Sequence, residues 1–472
     1  MPDPGSARSF WLQEALADDP GEPCPPLDAH VVADVCIVGG GFAGLWTAVR
    51  LSERDPSLRI ALVEQDIVGG GASGRNGGFF SSSWWDLAAL IGLFGEQEGL
   101  RYAHVLADAV GEAGSFCASN GIDCWWHLDG TLGVRSGEWQ DGIGRSDAIE
   151  LCERLGLGDR MIALSAEEVR AYADSPSFLG GAYIRDSAVV QPARLARGLR
   201  RLLLERGVRI YERSRVTDVE RSIPAVVRTG SGAVRADRVV LTHGAWAAGW
   251  REFRRSFALI VDYVVVTEPI PDRLEEIGWT THVGIGDGRE WLHYLRPTDD
   301  GRIAIGGGAG AVAFGGRANG RAVTHDRRVA EVAARGLLRM FPQLDGIRFT
   351  HAWGGPIDQT VSFVPFYRTL RPGTIHAGLG YSGHGLSQTF VGGKILASTV
   401  LGTEDGWTSL AVNRPEAAKV PPEPIRWLAV NAAARALERG DERQESGRPR
   451  GAINEAIGSA PIAFRDRVVG TT

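Results

Sequence analysis

The chain has 472 residues, of which 44% are hydrophobic and 23% charged, and its net charge is −6. This length exceeds one simple core, so we expect two or three domains. The acidic balance gives no electrostatic basis for nucleic-acid binding, and no stretch offers the ~18 consecutive apolar residues of a membrane span.

Cysteine usage indicates the cellular compartment. The five cysteines include no C-x-x-C pair, and their odd number argues against a disulfide framework or a cysteine-ligated zinc site. The N-terminal segment lacks the basic start and apolar core of a signal peptide. We therefore predict a reduced, cytoplasmic protein without a metal centre.

The first predicted elements form a βαβ unit. Residues 1–30 are polar and Pro-rich and are interpreted as an N-terminal extension. A buried strand over 35–38 stops at Gly39, a helix covers 45–51, and a second buried strand covers 59–63. This order within about 30 residues is typical of a βαβ motif with parallel strands.

After the βαβ unit, the sequence predicts a mainly helical region, a series of strands and a helical tail. Residues 84–180 are expected to be largely helical, and Pro192 opens a basic amphipathic helix over 193–206. Residues 411–472, with a helix candidate at 425–438, are interpreted as a peripheral helical and charged tail that could pack in a homo-oligomer. The β-branched and aromatic content of other segments predicts strands at 208–211, 216–219, 225–227, 239–241, 258–267 and 291–306.

The glycines after the first strand match a dinucleotide fingerprint. Gly39, Gly41 and Gly44 satisfy G-x-G-x-x-G, and Glu64 ends the second strand twenty residues after Gly44. Gly39 permits a tight turn, Gly41 lets backbone N–H groups approach a pyrophosphate, and Gly44 allows close helix packing. Glu64 would accept hydrogen bonds from a ribose, which favours an unphosphorylated sugar, as in FAD or NAD.

A second glycine-rich segment, residues 69–78, directly follows the strand that ends in Glu64. It lacks the Gly-Lys-Ser/Thr of a P-loop, so it is either a flexible surface loop or a ligand loop. Its position and the side chains of Ser73, Arg75 and Asn76 favour a ligand loop.

The two glycine segments together resemble the FAD-binding signature of the D-amino-acid oxidase/glycine oxidase superfamily. The second one reads Gly-Ala-Ser-Gly-Arg-Asn-Gly-Gly over residues 71–78. Later segments at 234–246, 293–306 and 379–386 carry the same likeness. The resemblance is strongest to the gamma-glutamylputrescine oxidase and aminophosphonate oxidoreductase branch, spans roughly residues 30–402, and favours FAD over NAD.

The resemblance implies a fold class of α/β with an α+β insert. A Rossmann-like FAD-binding domain would be assembled from discontinuous segments, with an inserted mixed-sheet substrate domain. The FAD-binding domain would comprise residues 31–110, 186–250 and 350–410, and the substrate domain residues 111–185 and 251–349.

Matching positions imply the cofactor contacts. The pyrophosphate would lie at Phe42 and Ala43, the ribose at Glu64 and Gln65, and adenine at the backbone of Val216. The loop before a helix at 386–396 would stabilise negative charge at flavin N1/O2, where His384 either contributes or only caps a turn. The remaining cofactor candidates are Ser73, Gly74, Arg75, Asn76, Gly77, Gly78, Gly244, Trp246, Gly380, Ser382, Gly383 and Gly385.

Three departures from the family pattern concern the chemistry. Residues 69–78 contain no His and no Cys follows Cys152, so dissociable FAD is predicted. The Arg that clamps a substrate carboxylate is missing after Trp353, where Asp358 is either a partner for an ammonium or amide group or a turn residue. The strand at 302–306 lacks the Lys that promotes reaction with oxygen, so dioxygen and another electron acceptor both stay open.

The predicted reaction is oxidation of the CH–NH bond of a small amine by hydride transfer to flavin N5, with hydrolysis of the imine. An aminophosphonate oxidoreductase, which needs a cationic pocket, and a flavin-binding subunit of a hetero-complex are the alternatives. The catalytic candidates are Tyr263, His293, Asp358 and His384. The substrate-binding candidates are Trp84, Trp85, Tyr294, Arg296, Arg302 and Trp353.

Overall fold

The computed structural model describes residues 8–140, 147–308, 310, 312, 314–324, 326–416, 418–460 and 463–464. Its helices are α1 (Phe10–Asp18), α2 (Phe42–Arg54), α3 (Leu87–Phe94), α4 (Glu96–Ser119), α5 (Asp147–Arg154), α6 (Ala166–Arg170), α7 (Pro192–Glu205), α8 (Pro271–Glu276), α9 (Arg321–Thr324), α10 (Arg327–Met340), α11 (Gly385–Leu401), α12 (Ile425–Glu445) and α13 (Ala452–Gly458).

The strands of the described residues are, in chain order, β1 (His30–Val38), β2 (Ile60–Val63), β3 (Phe79–Ser81), β4 (Thr131–Val134), β5 (Met161–Leu164), β6 (Gly181–Ile184), β7 (Ser187–Val189), β8 (Arg209–Tyr211), β9 (Asp218–Glu220), β10 (Ala225–Arg228), β11 (Ala233–Leu241), β12 (Ala258–Thr267), β13 (Gly284–Asp287), β14 (Tyr294–Pro297), β15 (Ile303–Gly306), β16 (Phe349–Gln359), β17 (Phe366–Leu370) and β18 (Ile375–Leu379).

The first sheet contains the βαβ unit. Its strands run in the order β17-β18-β11-β1-β2-β8, with β10 beside β11 and β9 beside β10. The strands β18, β11, β1, β2 and β8 are mutually parallel. Every residue of β2 is buried, as expected for a parallel strand that is covered on both faces.

The second sheet runs in the order β16-β12-β15-β14-β13-β4-β6-β5. Its pairs are antiparallel except for β13 with β4, so the predicted mixed sheet is confirmed. Helix α10 covers one face, where Leu337 and Met340 pack with Ile285, Leu295 and Ile305. A third, two-stranded sheet pairs β3 with β7.

The two large sheets are built from alternating parts of the chain, and the predicted fold class is confirmed. The first sheet takes its strands from residues 30–63, 209–241 and 366–379, and the second from 131–184 and 258–359. The predicted boundary at residue 350 needs correction, because β16 pairs with β12 along almost its whole length.

The prediction that residues 84–180 are largely helical is wrong beyond α4. This segment also contains β4 and β5, and β6 follows it directly at Gly181; each of these strands has only four residues. Strands this short carry too few positions to show an alternating pattern, so only their pairing into the second sheet reveals them.

Helices near both ends of the described part of the chain pack against the body of the protein. Trp11 in α1 is completely buried, so the N-terminal extension includes a docked helix. The tail is also not peripheral, because Arg426 at the start of α12 is buried and donates to the carbonyl oxygen of Arg254 at 2.6 Å. A homo-oligomer stays a prediction. Within the described residues, no helix is long and apolar enough to cross a lipid bilayer.

Candidate active site

A cleft of about 1630 Å³ is lined by residues of both large sheets. Typical small-molecule pockets have volumes of about 300–1,000 Å³. The cleft therefore has room for a dinucleotide together with a small second molecule.

The first glycine turn forms one end of the cleft. Gly39 has a φ of +109°, and a Cβ atom there would lie 2.8 Å from the carbonyl oxygen of Thr242. A Cβ atom on Gly44 would lie 2.1 Å from the carbonyl oxygen of Gly39, so only glycine allows α2 to pack this closely. The N-terminus of α2, with Phe42 and Ala43, faces the cleft and offers its dipole to an anion.

Glu64 lies beside this turn at the end of β2. Its Oε2 accepts a hydrogen bond from Gly40 N at 2.7 Å, and its Oε1 accepts one from Asp66 N at 2.9 Å. Burial raises the pKa of this carboxyl group to about 7, although the two hydrogen bonds oppose the shift. Each oxygen keeps a lone pair with which it can accept a hydroxyl group of a ligand.

The second glycine segment is an ordered wall of the cleft. A Cβ atom on Gly74 would lie 2.1 Å from the carbonyl oxygen of Gly69, and one on Gly77 would lie 2.4 Å from the Tyr294 ring. Arg75 ties the segment to β16, since its Nη1 donates to the carbonyl oxygen of Gly354 at 3.1 Å. These close contacts favour the ligand loop over the flexible surface loop.

Helix α1 and the second sheet brace this segment from behind. Trp11 Nε1 donates to the carbonyl oxygen of Asn76 at 3.0 Å, and Ser9 Oγ donates to that of Gly74 at 2.5 Å. Arg296 Nε donates to the carbonyl oxygen of Gly77 at 2.8 Å, and its guanidinium lies 4.7 Å from the centre of the Trp11 ring.

The loop between β18 and α11 forms a third turn. Gly380 has a φ of +81°, and its N–H donates to Asp358 Oδ2 at 2.7 Å. Ser382 Oγ accepts a hydrogen bond from Thr360 N at 3.1 Å. His384 occupies the N-cap position of α11 and lines the cleft together with Gly385, so the N-terminus of this helix points into the cleft.

The predicted cofactor positions are brought together around this cleft. Three of them, Gly44, Gly74 and Gly380, lie behind its surface and allow close backbone packing. The positions that line it are Gly39, Gly41, Phe42, Ala43, Glu64, Gln65, Ser73, Arg75, Asn76, Gly77, Gly78, Val216, Gly244, Trp246, Ser382, Gly383, His384 and Gly385.

Four of the predicted catalytic and substrate-binding residues also line the cleft, namely Trp85, Tyr294, Asp358 and His384. Two catalytic candidates need correction because their side chains are engaged behind the wall. The hydroxyl group of Tyr263 accepts a hydrogen bond from Asp326 N at 2.6 Å. His293 is buried with its Nδ1 3.0 Å from Asp287 Oδ2.

Four predicted substrate-binding residues are likewise corrected. Trp84 Nε1 donates to Asp186 at 3.1 Å, and Trp353 Nε1 donates to the carbonyl oxygen of Arg75 at 2.8 Å. Arg302 pairs with Asp300 at 2.6 Å. Arg296 holds the second glycine segment as described above, so none of these four groups has its polar atoms directed at a substrate.

Asp262 and His243 line the cleft but were not predicted from the sequence. Asp262 lines the cleft while its neighbour Tyr263 points to the opposite face, because side chains alternate along β12. His243 lines the cleft, and both of its ring nitrogens lack a hydrogen-bond partner among the described residues. Burial lowers the pKa of His243 to about 3, so a neutral ring offers one donor and one acceptor to a ligand.

The outer wall of the cleft depends on α12. Trp291 and Glu290 lie in the loop between β13 and β14 and line the cleft. Asp441 of α12 accepts a hydrogen bond from Trp291 N at 3.4 Å, and Trp291 Nε1 donates to the carbonyl oxygen of Ala434 at 3.2 Å. Arg450 pairs with Glu290 at 3.0 Å, so the tail holds this loop in place.

Comparison with known proteins agrees with this arrangement. The family model described as "DAO: FAD dependent oxidoreductase" matches residues 34–399. The chain belongs to this family. It is therefore an FAD-dependent oxidoreductase. The residues of the cleft fit FAD, because the glycine turns offer backbone N–H donors, Glu64 can accept hydrogen bonds from hydroxyl groups, and the ring nitrogens of His243 lack a hydrogen-bond partner among the described residues.

Individual DAO relatives are similar over most of the chain. Gamma-glutamylputrescine oxidoreductase of Escherichia coli (strain K12) is 28% identical over 82% of this chain and 88% of its own length. Probable oxidoreductase OrdL of Haemophilus influenzae is 25% identical over 81% of this chain and 86% of its own length. The crystal structure of glycine oxidase from Geobacillus kaustophilus shares the fold, with a TM-score of 0.65 at 20% identity, over 81% of this chain and 99% of that one.

Glu64 should make the affinity for FAD depend on pH. Hydroxyl groups that donate to Glu64 favour its ionised form, whereas its pKa without them is about 7. Binding should therefore release a proton, and the affinity should fall by up to about tenfold per pH unit below 7. Titration of apoprotein with FAD on either side of this pH, followed by flavin fluorescence, measures the effect. Glu64→Gln should abolish it, and an unchanged pH dependence in this variant would contradict the assignment.

Asp441 should influence substrate binding through Trp291. In Asp441→Ala the loop loses a hydrogen bond to a charged group, so we expect KM to rise by roughly tenfold with little change in kcat. Steady-state kinetics on FAD-loaded protein measure both constants. Arg435→Ala removes an exposed side chain from the same helix and serves as the control. Equal KM values in the two variants would show that α12 does not shape the cleft.

Proposed function

We propose that this protein oxidises the CH–NH bond of a small, positively charged amine. The observation that carries the proposal is Asp262, a carboxyl group of the second sheet that lines the cleft. The Tyr294 hydroxyl donates to its Oδ2, and Tyr263 N donates to its Oδ1 at 2.8 Å. Its ionised form can therefore receive an ammonium group at a fixed place.

The distribution of charge along the cleft supports a cationic substrate. Among the lining residues from β12 to β16, the charged side chains are the carboxylates Asp262, Asp287, Glu290 and Asp358. Asp287 lies 3.5 Å from both Arg289 and Arg339, and Glu290 pairs with Arg450, so Asp262 and Asp358 are the two without a basic partner among the described residues. The guanidinium groups that line the cleft belong to Arg75 of the second glycine segment, to Arg215 between β8 and β9, and to Arg251 between β11 and β12.

This charge distribution disfavours the aminophosphonate alternative and a simple amino-acid substrate. A phosphonate or carboxylate is best held by a guanidinium fork. Arg75 is engaged with the carbonyl oxygens of Gly70 and Gly354. The E. coli relative, whose name refers to gamma-glutamylputrescine, also supports an amine substrate.

Asp262 is suited to activate the amine. An amine reaches the cleft as an ammonium ion, whose nitrogen has no free lone pair. Burial raises the pKa of Asp262 to about 6, so its carboxylate is a better proton acceptor than an exposed one. When Asp262 takes the proton, the nitrogen lone pair assists departure of the neighbouring C–H as hydride. Bound FAD supplies the acceptor for that hydride.

Product formation needs water. Loss of hydride from the neutral amine leaves a protonated imine, which water hydrolyses to a carbonyl compound and a protonated amine or an ammonium ion. Dioxygen or another acceptor then takes up the two electrons that the hydride carried.

We assign Asp358 a positioning role rather than contact with substrate. Its Oδ2 accepts the N–H of Gly380, which fixes the turn before α11. Burial raises the pKa of Asp358 to about 6, with the backbone hydrogen bonds opposing the shift. The other predicted cofactor contacts follow the three glycine turns, and we propose that FAD is held without a covalent bond.

Replacement of Asp262 tests the proposal. In Asp262→Asn we expect kcat/KM for the amine to fall by about 10²–10³-fold, because the general base is lost. In the wild type, kcat/KM should fall as the pH drops below about 6, since Asp262 becomes protonated. The variant should lose this acidic limb. Asp345→Asn, a replacement at an exposed site, is the control. The proposed role of Asp262 as general base is refuted if Asp262→Asn keeps both the wild-type kcat/KM and its decrease below about pH 6.

A panel of substrates tests the reaction itself. Anaerobic mixing of the yellow protein with gamma-glutamylputrescine or small amines should bleach the flavin. Glycine, sarcosine and 2-aminoethylphosphonate should bleach it far more slowly. Recovery of colour in air with release of peroxide identifies an oxidase, and slow recovery identifies a dehydrogenase. Bleaching by the phosphonate alone would favour the aminophosphonate reading, and no bleaching would favour a flavin-binding subunit.

A further inference from the structure

A cluster of metal-binding side chains lies on the second sheet, apart from the residues that line the cleft. His127, His282 and Asp299 each offer one ligand atom, and these atoms lie within 4.8 Å of one another. His127 precedes β4, His282 precedes β13, and Asp299 follows β14. Because β4 and β13 are parallel neighbours and β14 is antiparallel to β13, all three loops meet at the same end of the sheet.

We propose that this cluster binds a divalent transition-metal ion of the Zn²⁺ type. Asp299 Oδ1 lies 2.8 Å from His127 Nε2 and 3.3 Å from His282 Nε2. Donor atoms around a tetrahedral zinc ion, with bonds of ~2.0–2.1 Å, are about 3.3 Å apart. Two imidazole nitrogens and one carboxylate oxygen form a ligand set that suits zinc, and water can complete it.

Metal binding requires a small movement of the imidazole rings. The rings of His127 and His282 are stacked, with centroids 3.5 Å apart and planes 5° from parallel. The lone pair of each ring nitrogen lies in its ring plane, so parallel rings cannot both point at one ion. At least one ring must turn about its Cβ–Cγ bond. The two side chains are 26% and 28% exposed, so solvent leaves room for this rotation.

The carboxylate of Asp129 lies close to the ring of His282 and can orient it. Asp129 Oδ2 accepts the backbone N–H of His282 at 2.7 Å and lies 3.9 Å from its Nδ1. Metal-bound histidines usually donate their second ring N–H to such a carboxylate or carbonyl oxygen. Asp129 is thus placed to support His282 once the Nε2 atom is engaged by the ion.

The ion would join parts of the fold that are distant in sequence. His127 also forms a β-bridge with Val189 of β7, through backbone hydrogen bonds of 3.1 Å and 2.9 Å. The site therefore links the small β3–β7 sheet to the loops of the second sheet. Binding to the folded chain would raise its thermal stability.

The test uses full-length, FAD-loaded protein that has been treated with a chelator and dialysed. After incubation with equimolar Zn²⁺ and gel filtration, the zinc content per chain and the thermal unfolding midpoint are measured. We expect about one zinc per chain and a higher midpoint than in the chelated sample. His30→Ala, which removes an exposed imidazole elsewhere, should behave like the wild type.

Variants of the cluster decide the outcome. The double variant His127→Ala/His282→Ala should take up no zinc, and Asp299→Asn should bind it at least about tenfold more weakly. Retained flavin absorbance shows that each variant is folded. The proposal is overturned if wild-type protein stays free of zinc, or if the double variant takes up as much zinc as His30→Ala.

Discussion

The cleft depends on glycines at places where two segments of the chain lie too close together for a side chain to fit between them. At Gly39, Gly78 and Gly380, an added Cβ atom would lie 2.8 Å or less from an atom of another segment. All three positions have positive φ values, so glycine is required both for the turn and for the approach. The positions expected to hold FAD therefore follow from main-chain geometry, and the side chains mainly hold these turns in place.

Arg296 shows how such a turn is held. It is fully buried, and burial lowers the pKa of its guanidinium to about 9. The carbonyl oxygens of Gly77 and Val190 accept its hydrogen bonds, and the Trp11 ring covers it. A buried cation is tolerated only when its donors are satisfied, so the second glycine segment, β14 and the N-terminal helix form one interdependent unit.

The two faces of the second sheet have different roles. Along β12, Asp262 faces the cleft, whereas Tyr263 lies on the opposite face, with its ring close to Gly354 of the neighbouring strand β16. The Asp262 carboxylate on the cleft face matches the cationic amine that we propose, and α12 closes the outer wall through Trp291. The family model ends at residue 399, so α12 and the substrate selectivity it would influence are additions outside the matched region.

The sequence by itself determined the FAD-binding part. The turn at Gly39, Glu64 at the end of β2 and the glycines from residue 69 to 78 each meet a local backbone requirement, and such requirements are visible in neighbouring residues of the sequence. The parallel strands were visible for the same reason, since they are continuous apolar runs.

The tertiary structure decided what faces the cleft. Tyr263 and Asp262 are neighbours, and only the pairing of β12 with β16 determines which of them meets a substrate. Likewise, α12 reads as a surface helix until its contacts with Trp291 are seen, and His127, His282 and Asp299 share no spacing motif. Successive side chains of a strand point to opposite faces, so the sequence does not show which of them faces the cleft. Loops that are distant in sequence meet only when their strands pair, so adjacent residues do not reveal a site that such loops form.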